Sequence, residues 1–132
     1  MSAKILVIDD NPTNLKLVSE LLEFEGHKIL KALDAEEALV VLADSLPELI
    51  LMDIALPGMD GLTLARKLKA DERTRHIRIV ALTAFAMKGD DQKAFDAGCD
   101  GYIAKPIDTR TLPAQVVEFL ARAGGDNSGK PT

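Results

Sequence analysis

The sequence lacks the features of a secreted, membrane-spanning or metal-thiolate protein. Its one cysteine, Cys99, cannot form a disulfide framework and has no Cys or His partner at metal-ligand spacing. No stretch approaches the roughly 18 to 20 apolar residues that a transmembrane helix needs, and the first residues hold no signal-peptide core. We therefore expect a cytoplasmic protein with no membrane association, in which Cys99 is a small core residue.

Basic residues form no run anywhere in the sequence. Lys and Arg total 16 against 21 Asp and Glu, which gives a net charge of −5. Because nucleic-acid-binding domains cluster positive charge, we expect no nucleic-acid partner. Of the 132 residues, 47% are hydrophobic and 28% charged, which suits one domain with a buried core and argues against disorder.

Short apolar runs predict the strands of a parallel sheet. Ile5–Ile8, Leu49–Met52 and Ile79–Leu82 are apolar without alternation, which is typical of strands covered on both faces. His27–Ala32 is more mixed and indicates an edge strand, and Gly101–Ala104 indicates a short fifth strand.

The segments between these runs begin with residues that typically start helices, and their apolar residues recur at helical spacing. Gly98 is expected to end the fourth helix near Ala97, because glycine favours the left-handed conformation after a helix. The expected helix starts are Asn11, Asp34, Asp60, Met87 and Thr111.

Strands and helices alternate five times, which predicts an α/β fold: a parallel sheet with helices on both faces. We expect one domain over residues 1–123. Residues 124–132 are polar and rich in glycine, so we expect a disordered tail with no output domain after it.

Five reactive side chains fall where predicted strands end: Asp9, Asp10, Asp53, Thr83 and Lys105. In an open α/β sheet, ligands bind outside the carboxyl ends of the strands. A single aspartate after a strand is more often a helix cap. Convergence of all five groups in one crevice is harder to explain by capping, so we expect a functional site there.

The chemistry of these side chains suits phosphoryl transfer. Each pair of carboxylates about 4 Å apart repels by roughly 4 kcal/mol at an effective dielectric near 20, so three of them favour a cation. Their hard oxygen ligands suit Mg²⁺, for which Mn²⁺ could substitute. Lys105 would add a positive charge and Thr83 a hydroxyl donor, with Asp53 as the nucleophile.

Four motifs in order then carry a family resemblance. They are Val7–Asn11, Leu51–Gly61, Ala81–Ala84 and Lys105–Pro106. Through them the chain resembles, over nearly its whole length, the receiver domains of bacterial response regulators, the CheY-like superfamily. The stretch Thr83–Asp90, together with Gly98–Cys99 and Tyr102–Ile107, looks closest to the single-domain receivers that act in bacterial cell-division phosphorelays.

The resemblance implies a fold, a reaction and a metal site. The fold is a doubly wound, flavodoxin-like three-layer sandwich of five βα units with strand order 2-1-3-4-5. The reaction is transfer of a phosphoryl group from a histidine kinase or histidine phosphotransfer protein to Asp53, giving an aspartyl phosphate. The metal ligands would be Asp10, Asp53 and the Ala55 carbonyl, with Asp9 acting through water. The protein would be a phosphoacceptor that assists its own phosphorylation and dephosphorylation, rather than an enzyme.

The resemblance also implies a conformational switch. Thr83 and Lys105 would hold the phosphoryl oxygens, and a cis peptide before Pro106 would aim the lysine. Movement of Thr83 would let Tyr102 turn inward, which changes the face built from the fourth helix, fifth strand and fifth helix. A downstream target protein would read that face, and the chain would be a monomer or weak homodimer.

Two positions differ from receivers that dephosphorylate quickly. Ala55 lies two residues after Asp53, and Phe85 lies two after Thr83. Neither side chain can orient an attacking water, so we expect the aspartyl phosphate to last minutes or more. Phe85 and Met87 are either partner contacts or packing residues. His27 and His76 are expected to have packing or surface roles.

Two alternative functions lack a residue pattern that they require, and a third remains open. A haloacid-dehalogenase-like phosphatase would need a second aspartate where Ala55 lies. A flavodoxin-like binding module would need a Gly/Ser/Thr-rich loop after the first strand. A degenerate receiver that acts only as an interaction scaffold is disfavoured by intact Asp53, Thr83 and Lys105, but only a phosphorylation test can exclude it.

Overall fold

The computed structural model describes residues 3–83, 90–104 and 107–124. Strands and helices alternate along the chain as the apolar runs predicted. The elements are β1 (Lys4–Ile8), α1 (Pro12–Phe24), β2 (Lys28–Ala32), α2 (Ala35–Asp44), β3 (Leu49–Asp53), α3 (Gly61–Ala70), β4 (Arg78–Thr83), α4 (Asp90–Asp96), β5 (Gly101–Ala104) and α5 (Leu112–Gly124).

The five strands form one sheet in the order β2-β1-β3-β4-β5, and every neighbouring pair is parallel. This confirms the predicted doubly wound fold and its strand order. The chain moves outward from β1 in one direction to β2 and in the other to β3. The carboxyl ends of β1 and β3 therefore flank the topological switch point, where α/β sheets of this kind bind ligands.

Each face of the sheet carries its own hydrophobic core. Leu6 and Ile8 of β1 pack into the cluster shared with α2, α3 and α4, whereas Ile5 and Val7 pack into the cluster shared with α1 and α5. Successive side chains of a strand point to opposite faces, so the interior positions of the central strands must all be apolar. This explains why those runs show no alternation.

The first three helices begin with side-chain caps, as predicted. Carboxylate or amide oxygens of Asn11, Asp34 and Asp60 accept hydrogen bonds from backbone N–H groups in the first turn at 2.9, 2.7 and 2.8 Å. Such caps satisfy donors that would otherwise lack a partner. The bond from the Thr63 N–H favours the ionised form and lowers the pKa of the Asp60 carboxyl.

The second strand begins at Lys28, so its predicted start at His27 is wrong by one residue. The backbone N–H of His27 donates to the Leu22 carbonyl at 3.2 Å, which completes the end of α1 instead of the sheet. Its ring is buried, and Nδ1 accepts the Ala3 N–H at 3.1 Å. The expected packing role of His27 is confirmed, and His76 is exposed as expected.

Other boundaries differ by single residues. The fourth helix ends at Asp96, not Ala97, and Gly98 follows with φ +101° as a glycine stop requires. The fifth helix starts at Leu112, one residue after the predicted start at Thr111. The predicted start of the fourth helix at Met87 lies outside the described residues.

Cys99 lies in the hydrophobic core on the α4 side of the sheet. Cys99 is a buried free thiol, as expected, and burial raises its pKa to about 11. Among the described residues, no helix is long and apolar enough to cross a membrane.

Candidate functional site

Three aspartates meet at the carboxyl edge of the sheet. Ile8 of β1 pairs with Met52 of β3, so the residues that follow each of them leave the sheet side by side. One carboxylate oxygen from each of Asp9, Asp10 and Asp53 lies within 4.8 Å of the other two. The structure thus brings together three of the residues that the sequence predicted to converge.

The three carboxylates differ in burial. Asp9 and Asp53 are 1% and 6% exposed, whereas Asp10 is exposed. The Asn11 N–H donates to Asp9 Oδ1 at 2.9 Å, and the Ala55 N–H donates to Asp53 Oδ1 at 3.0 Å. These bonds orient both buried carboxylates. The exposed Asp10 keeps the cluster open to solvent on one side.

The start of α3 lies against the end of β3. A Cβ atom at Gly61 would lie 2.5 Å from the Asp53 carbonyl oxygen and 2.9 Å from Ile54 Cα, closer than real Cβ atoms approach. The Gly61 N–H donates to the Ile54 carbonyl at 2.9 Å. Glycine at this position therefore lets a helix support the backbone that carries Asp53. The motif Leu51–Gly61 includes this glycine, but residue spacing alone did not predict its contact with the backbone of Asp53 and Ile54.

The donor set of the cluster fits a hard divalent cation. Carboxylate oxygens are the ligands that Mg²⁺ and Ca²⁺ prefer, and one exposed member leaves room for water. Carboxylates about 4 Å apart repel by roughly 4 kcal/mol per pair at an effective dielectric near 20. A bound cation would relieve that repulsion. The acidic cluster can therefore hold a metal ion.

Of the other predicted site residues, the structure describes Ala55 fully and Thr83 only through its backbone. Ala55 lies in the loop after β3, with its backbone N–H at the Asp53 carboxylate. Thr83 is the last residue of β4 and pairs with Ala104. The structure does not describe the side chain of Thr83, and Lys105 and Pro106 lie outside the described residues. Their predicted roles stay predictions.

Phe85, Met87 and residues 125–132 also lie outside the described residues. The choice between packing and partner contact for Phe85 and Met87, and the expected tail, are therefore not tested.

Tyr102 has a neighbour that the sequence did not reveal. In β5 it pairs with Ala81 of β4, and its half-buried ring packs against the core beneath α4. The ring of Phe95 in α4 meets it edge-on, with centroids 6.4 Å apart and planes at 81°. The two residues belong to different elements, so helical or strand spacing could not have paired them.

Comparison with known proteins agrees with the fold and the acidic site. A family model for the response regulator receiver domain matches residues 5–117. The chain belongs to this family. The predicted resemblance is thereby confirmed, and the phosphatase and flavodoxin-like alternatives are set aside. This receiver domain is a signalling domain of a two-component system.

Individual relatives match along most of the receiver domain. The polar-differentiation response regulator DivK of Brucella ovis is 39% identical over 123 residues, which cover 93% of this chain and 100% of DivK. This match confirms the expected similarity to single-domain regulators.

Solved structures match equally well. A two-component response regulator from Clostridium difficile is 30% identical with a TM-score of 0.85, and the match covers 92% of this chain and 98% of that one. The receiver domain of the sensor histidine kinase PA1611 from Pseudomonas aeruginosa is 30% identical, with a TM-score of 0.83 and coverage of 92% and 99%. That structure was solved with a magnesium ion coordinated in its active-site cleft.

Proposed function

We propose that this receiver domain accepts a phosphoryl group on Asp53 from a histidine kinase or histidine phosphotransfer protein, in a Mg²⁺-dependent reaction. The observation that supports this most directly is the meeting of Asp9, Asp10 and Asp53 within 4.8 Å at the carboxyl edge of the sheet. Asp53 is the last residue of β3 and lies at the switch point, where an incoming phosphoryl group can reach it.

The proposed metal ligands are carboxylate oxygens of Asp10 and Asp53 and the carbonyl of Ala55, with Asp9 acting through water. The open, acidic donor set supports Mg²⁺, and Mn²⁺ has the same ligand preference. The magnesium-containing structure of a receiver 30% identical to this one adds support. When bound, the ion supplies positive charge against the carboxylates and the phosphoryl oxygens.

In the proposed transfer, a carboxylate oxygen of Asp53 forms a bond to phosphorus while the P–N bond of the donor phosphohistidine breaks. The product is an acyl phosphate on Asp53, and the donor leaves as a histidine. The Ala55 N–H at 3.0 Å and the Gly61 contact beneath Asp53 hold the nucleophile in place. Thr83 and Lys105 are proposed to hold the phosphoryl oxygens, and Pro106 to aim the lysine.

The proposed output is a change in the face formed by α4, β5 and α5. Thr83 ends β4 next to β5, which carries Tyr102, so movement at Thr83 can reach that tyrosine. A shift between two packings of Tyr102 would alter the surface that a downstream target protein contacts. The aspartyl phosphate is proposed to be long-lived, because Ala55 places no polar side chain near Asp53 to orient water.

Three further features belong to the proposal. The receiver domain is proposed to extend to the end of α5 at Gly124, one residue beyond the predicted boundary at 123, with a tail at 125–132, and to act in the cytoplasm. It is taken to work as a monomer or weak homodimer.

Phosphorylation with a small donor tests the proposal. The chain is incubated with Mg²⁺ and acetyl phosphate and its intact mass is measured. We expect a gain of one phosphoryl group that needs Mg²⁺ and is lost in Asp53→Asn. Asp44→Asn is the matched control, because Asp44 is exposed at the end of α2, which leads toward the amino end of β3.

Two results would contradict the proposal. No gain in the wild type with donor and metal present would favour a receiver that serves only as an interaction scaffold. A gain that persists in Asp53→Asn would place the acceptor elsewhere. Loss of the phosphoryl group within a few seconds would separately contradict the long lifetime.

A further inference from the structure

Phe95 of α4 and Tyr102 of β5 form an aromatic pair. Both elements belong to the face of α4, β5 and α5 that is proposed to change on phosphorylation. Their ring centroids are 6.4 Å apart with planes at 81°, the geometry of an edge-to-face contact. In such a pair the positive edge of one ring meets the negative face of the other, so the contact favours one relative orientation. The pair therefore restricts Tyr102 more than plain apolar contact would.

The position of Phe95 is fixed by the packing of α4. Ala94, next to it in α4, and Ala97, directly after the helix, are 0% and 3% exposed, because α4 lies closely on the sheet. The turn into β5 is closed by the Cys99 N–H, which donates to the Ala94 carbonyl at 3.0 Å. Gly98 supplies the positive φ of +101° that this turn requires. The ring of Phe95 is thus carried on a firmly seated helix.

Burial distinguishes the two rings. Phe95 is 46% exposed, so its ring contributes little to the core. Tyr102 is half-buried and packs against the core on the α4 side of the sheet. It pairs with Ala81, two residues before the end of β4 at Thr83. The large apolar side chain of Phe95, which contributes little to the core, therefore contacts Tyr102, the residue proposed to respond to phosphorylation.

We propose that Phe95 is a positioning residue that holds Tyr102 in its present orientation and thereby sets how readily Tyr102 turns. The link to signalling rests on the proposed function, in which phosphorylation of Asp53 moves Tyr102. The contact itself belongs to the unphosphorylated chain and is tested there. Its loss raises the population of the other Tyr102 orientation before any phosphoryl group is present.

Three variants isolate the ring contact. Phe95→Leu keeps an apolar side chain but removes the aromatic ring, whereas Phe95→Trp keeps an aromatic ring at a site exposed enough to accept a larger one. Phe24→Leu is the matched control, since Phe24 is 87% exposed at the end of α1, on the opposite face of the sheet. Far-ultraviolet circular dichroism confirms that each variant is folded.

The sequence provides a site-specific probe. Tyr102 is the one tyrosine among 132 residues, and there is no tryptophan. Biosynthetic 3-fluorotyrosine therefore gives a ¹⁹F spectrum that reports on Tyr102 alone. Spectra are recorded without a donor and then with Mg²⁺ and acetyl phosphate, while intact mass measures phosphorylation in parallel.

The expected change in the Tyr102 spectrum depends on an aromatic ring at position 95. Without a donor, Phe95→Leu shifts the ratio of the two Tyr102 orientations by about 2- to 10-fold, the range for an aromatic pair. The shift is toward the signal of the phosphorylated wild type. Phe95→Trp restores the wild-type spectrum, and Phe24→Leu leaves it unchanged.

Other outcomes separate the two proposals. An unphosphorylated Phe95→Leu spectrum identical to wild type, or one that Phe95→Trp fails to restore, overturns the role of Phe95. A phosphorylated wild type whose Tyr102 signal does not move contradicts the proposed switch. Absence of phosphorylation by mass contradicts the proposed function, and the spectra without a donor still decide the role of Phe95.

Discussion

At the scale of single residues, burial decides the behaviour of His27. The ring is 5% exposed, and its Nδ1 accepts a hydrogen bond from the Ala3 N–H at 3.1 Å. Burial lowers the pKa of His27 below its ordinary value, although the charges of Glu25 and Glu48 partly oppose this. A proton on Nδ1 would remove the acceptor that ties the start of β1 to the turn before β2.

The lowered pKa of His27 makes folding stability depend on pH. The unfolded state binds the proton more readily, so the contribution of neutral His27 is fully present above its unfolded pKa, about 6.5. It is lost as the pH falls through the folded pKa. We expect urea-unfolding free energy to fall more steeply below pH 6.5 in wild type than in His27→Gln.

The matched control for His27 is His76→Gln, because His76 is exposed. Its pH profile should follow that of the wild type. Equal slopes in wild type and His27→Gln would show that His27 is not coupled to folding.

At the scale of elements, Asp100 joins α3, β4 and β5 at the amino end of the strands. Its carboxylate accepts from Lys69 Nζ of α3 at 3.0 Å, from Arg78 of β4 at 3.2 Å and from the Ile79 N–H at 2.9 Å. Lys69 also donates to the Ile77 carbonyl at 2.8 Å. One carboxylate thus fixes three elements relative to each other.

Removal of the Asp100 carboxylate should weaken the fold without affecting phosphorylation. The side chains of Asp100, Lys69 and Arg78 are only 22 to 25% exposed, so solvent screens their charges incompletely. We expect Asp100→Ala to lower the urea-unfolding free energy by about 1 to 3 kcal/mol, since Lys69, Arg78 and the Ile79 N–H each lose one acceptor.

Asp96→Ala is the control for Asp100→Ala, because Asp96 is exposed and accepts from Gln92 in its own helix. Folded Asp100→Ala should still gain a phosphoryl group from acetyl phosphate, because Asp100 precedes β5 whereas Asp53 ends β3. A stability equal to that of Asp96→Ala would show that the three elements dock without this carboxylate.

At the scale of the whole molecule, the acidic cluster links metal binding to stability. Mutual repulsion of Asp9, Asp10 and Asp53 opposes folding, because unfolding separates the three carboxylates. An ion that binds only the folded state adds about 2.7 kcal/mol when its concentration is 100 times its Kd. We expect Mg²⁺ to raise the thermal midpoint more than NaCl at the same ionic strength.

The exposed Asp10 allows the cluster to be tested without disturbing a buried group. Asp10→Asn removes one charge, so its metal-free midpoint should exceed that of the wild type and its response to Mg²⁺ should be smaller. Asp44→Asn should behave like the wild type. An equal response to Mg²⁺ in Asp10→Asn and wild type would place the metal elsewhere.

Several features of this protein follow from the sequence because their causes are local. The central strands β1 and β3 are apolar at every position except Lys4 and Asp53 at their ends, and Asn11, Asp34 and Asp60 cap the helices that follow them. Alternating strands and helices predicted the α/β fold, and the family resemblance supplied its strand order. The carboxyl ends of parallel strands share one edge, so the meeting of the aspartates could also be predicted.

Contacts between different elements could be decided only by the tertiary structure. The fit of Gly61 beneath Asp53, the pairing of Phe95 with Tyr102 and the three bonds of Asp100 each depend on how neighbouring elements pack against one another. Residue spacing along one helix or strand fixes its inward face only roughly, whereas side-chain packing between elements fixes which atoms touch.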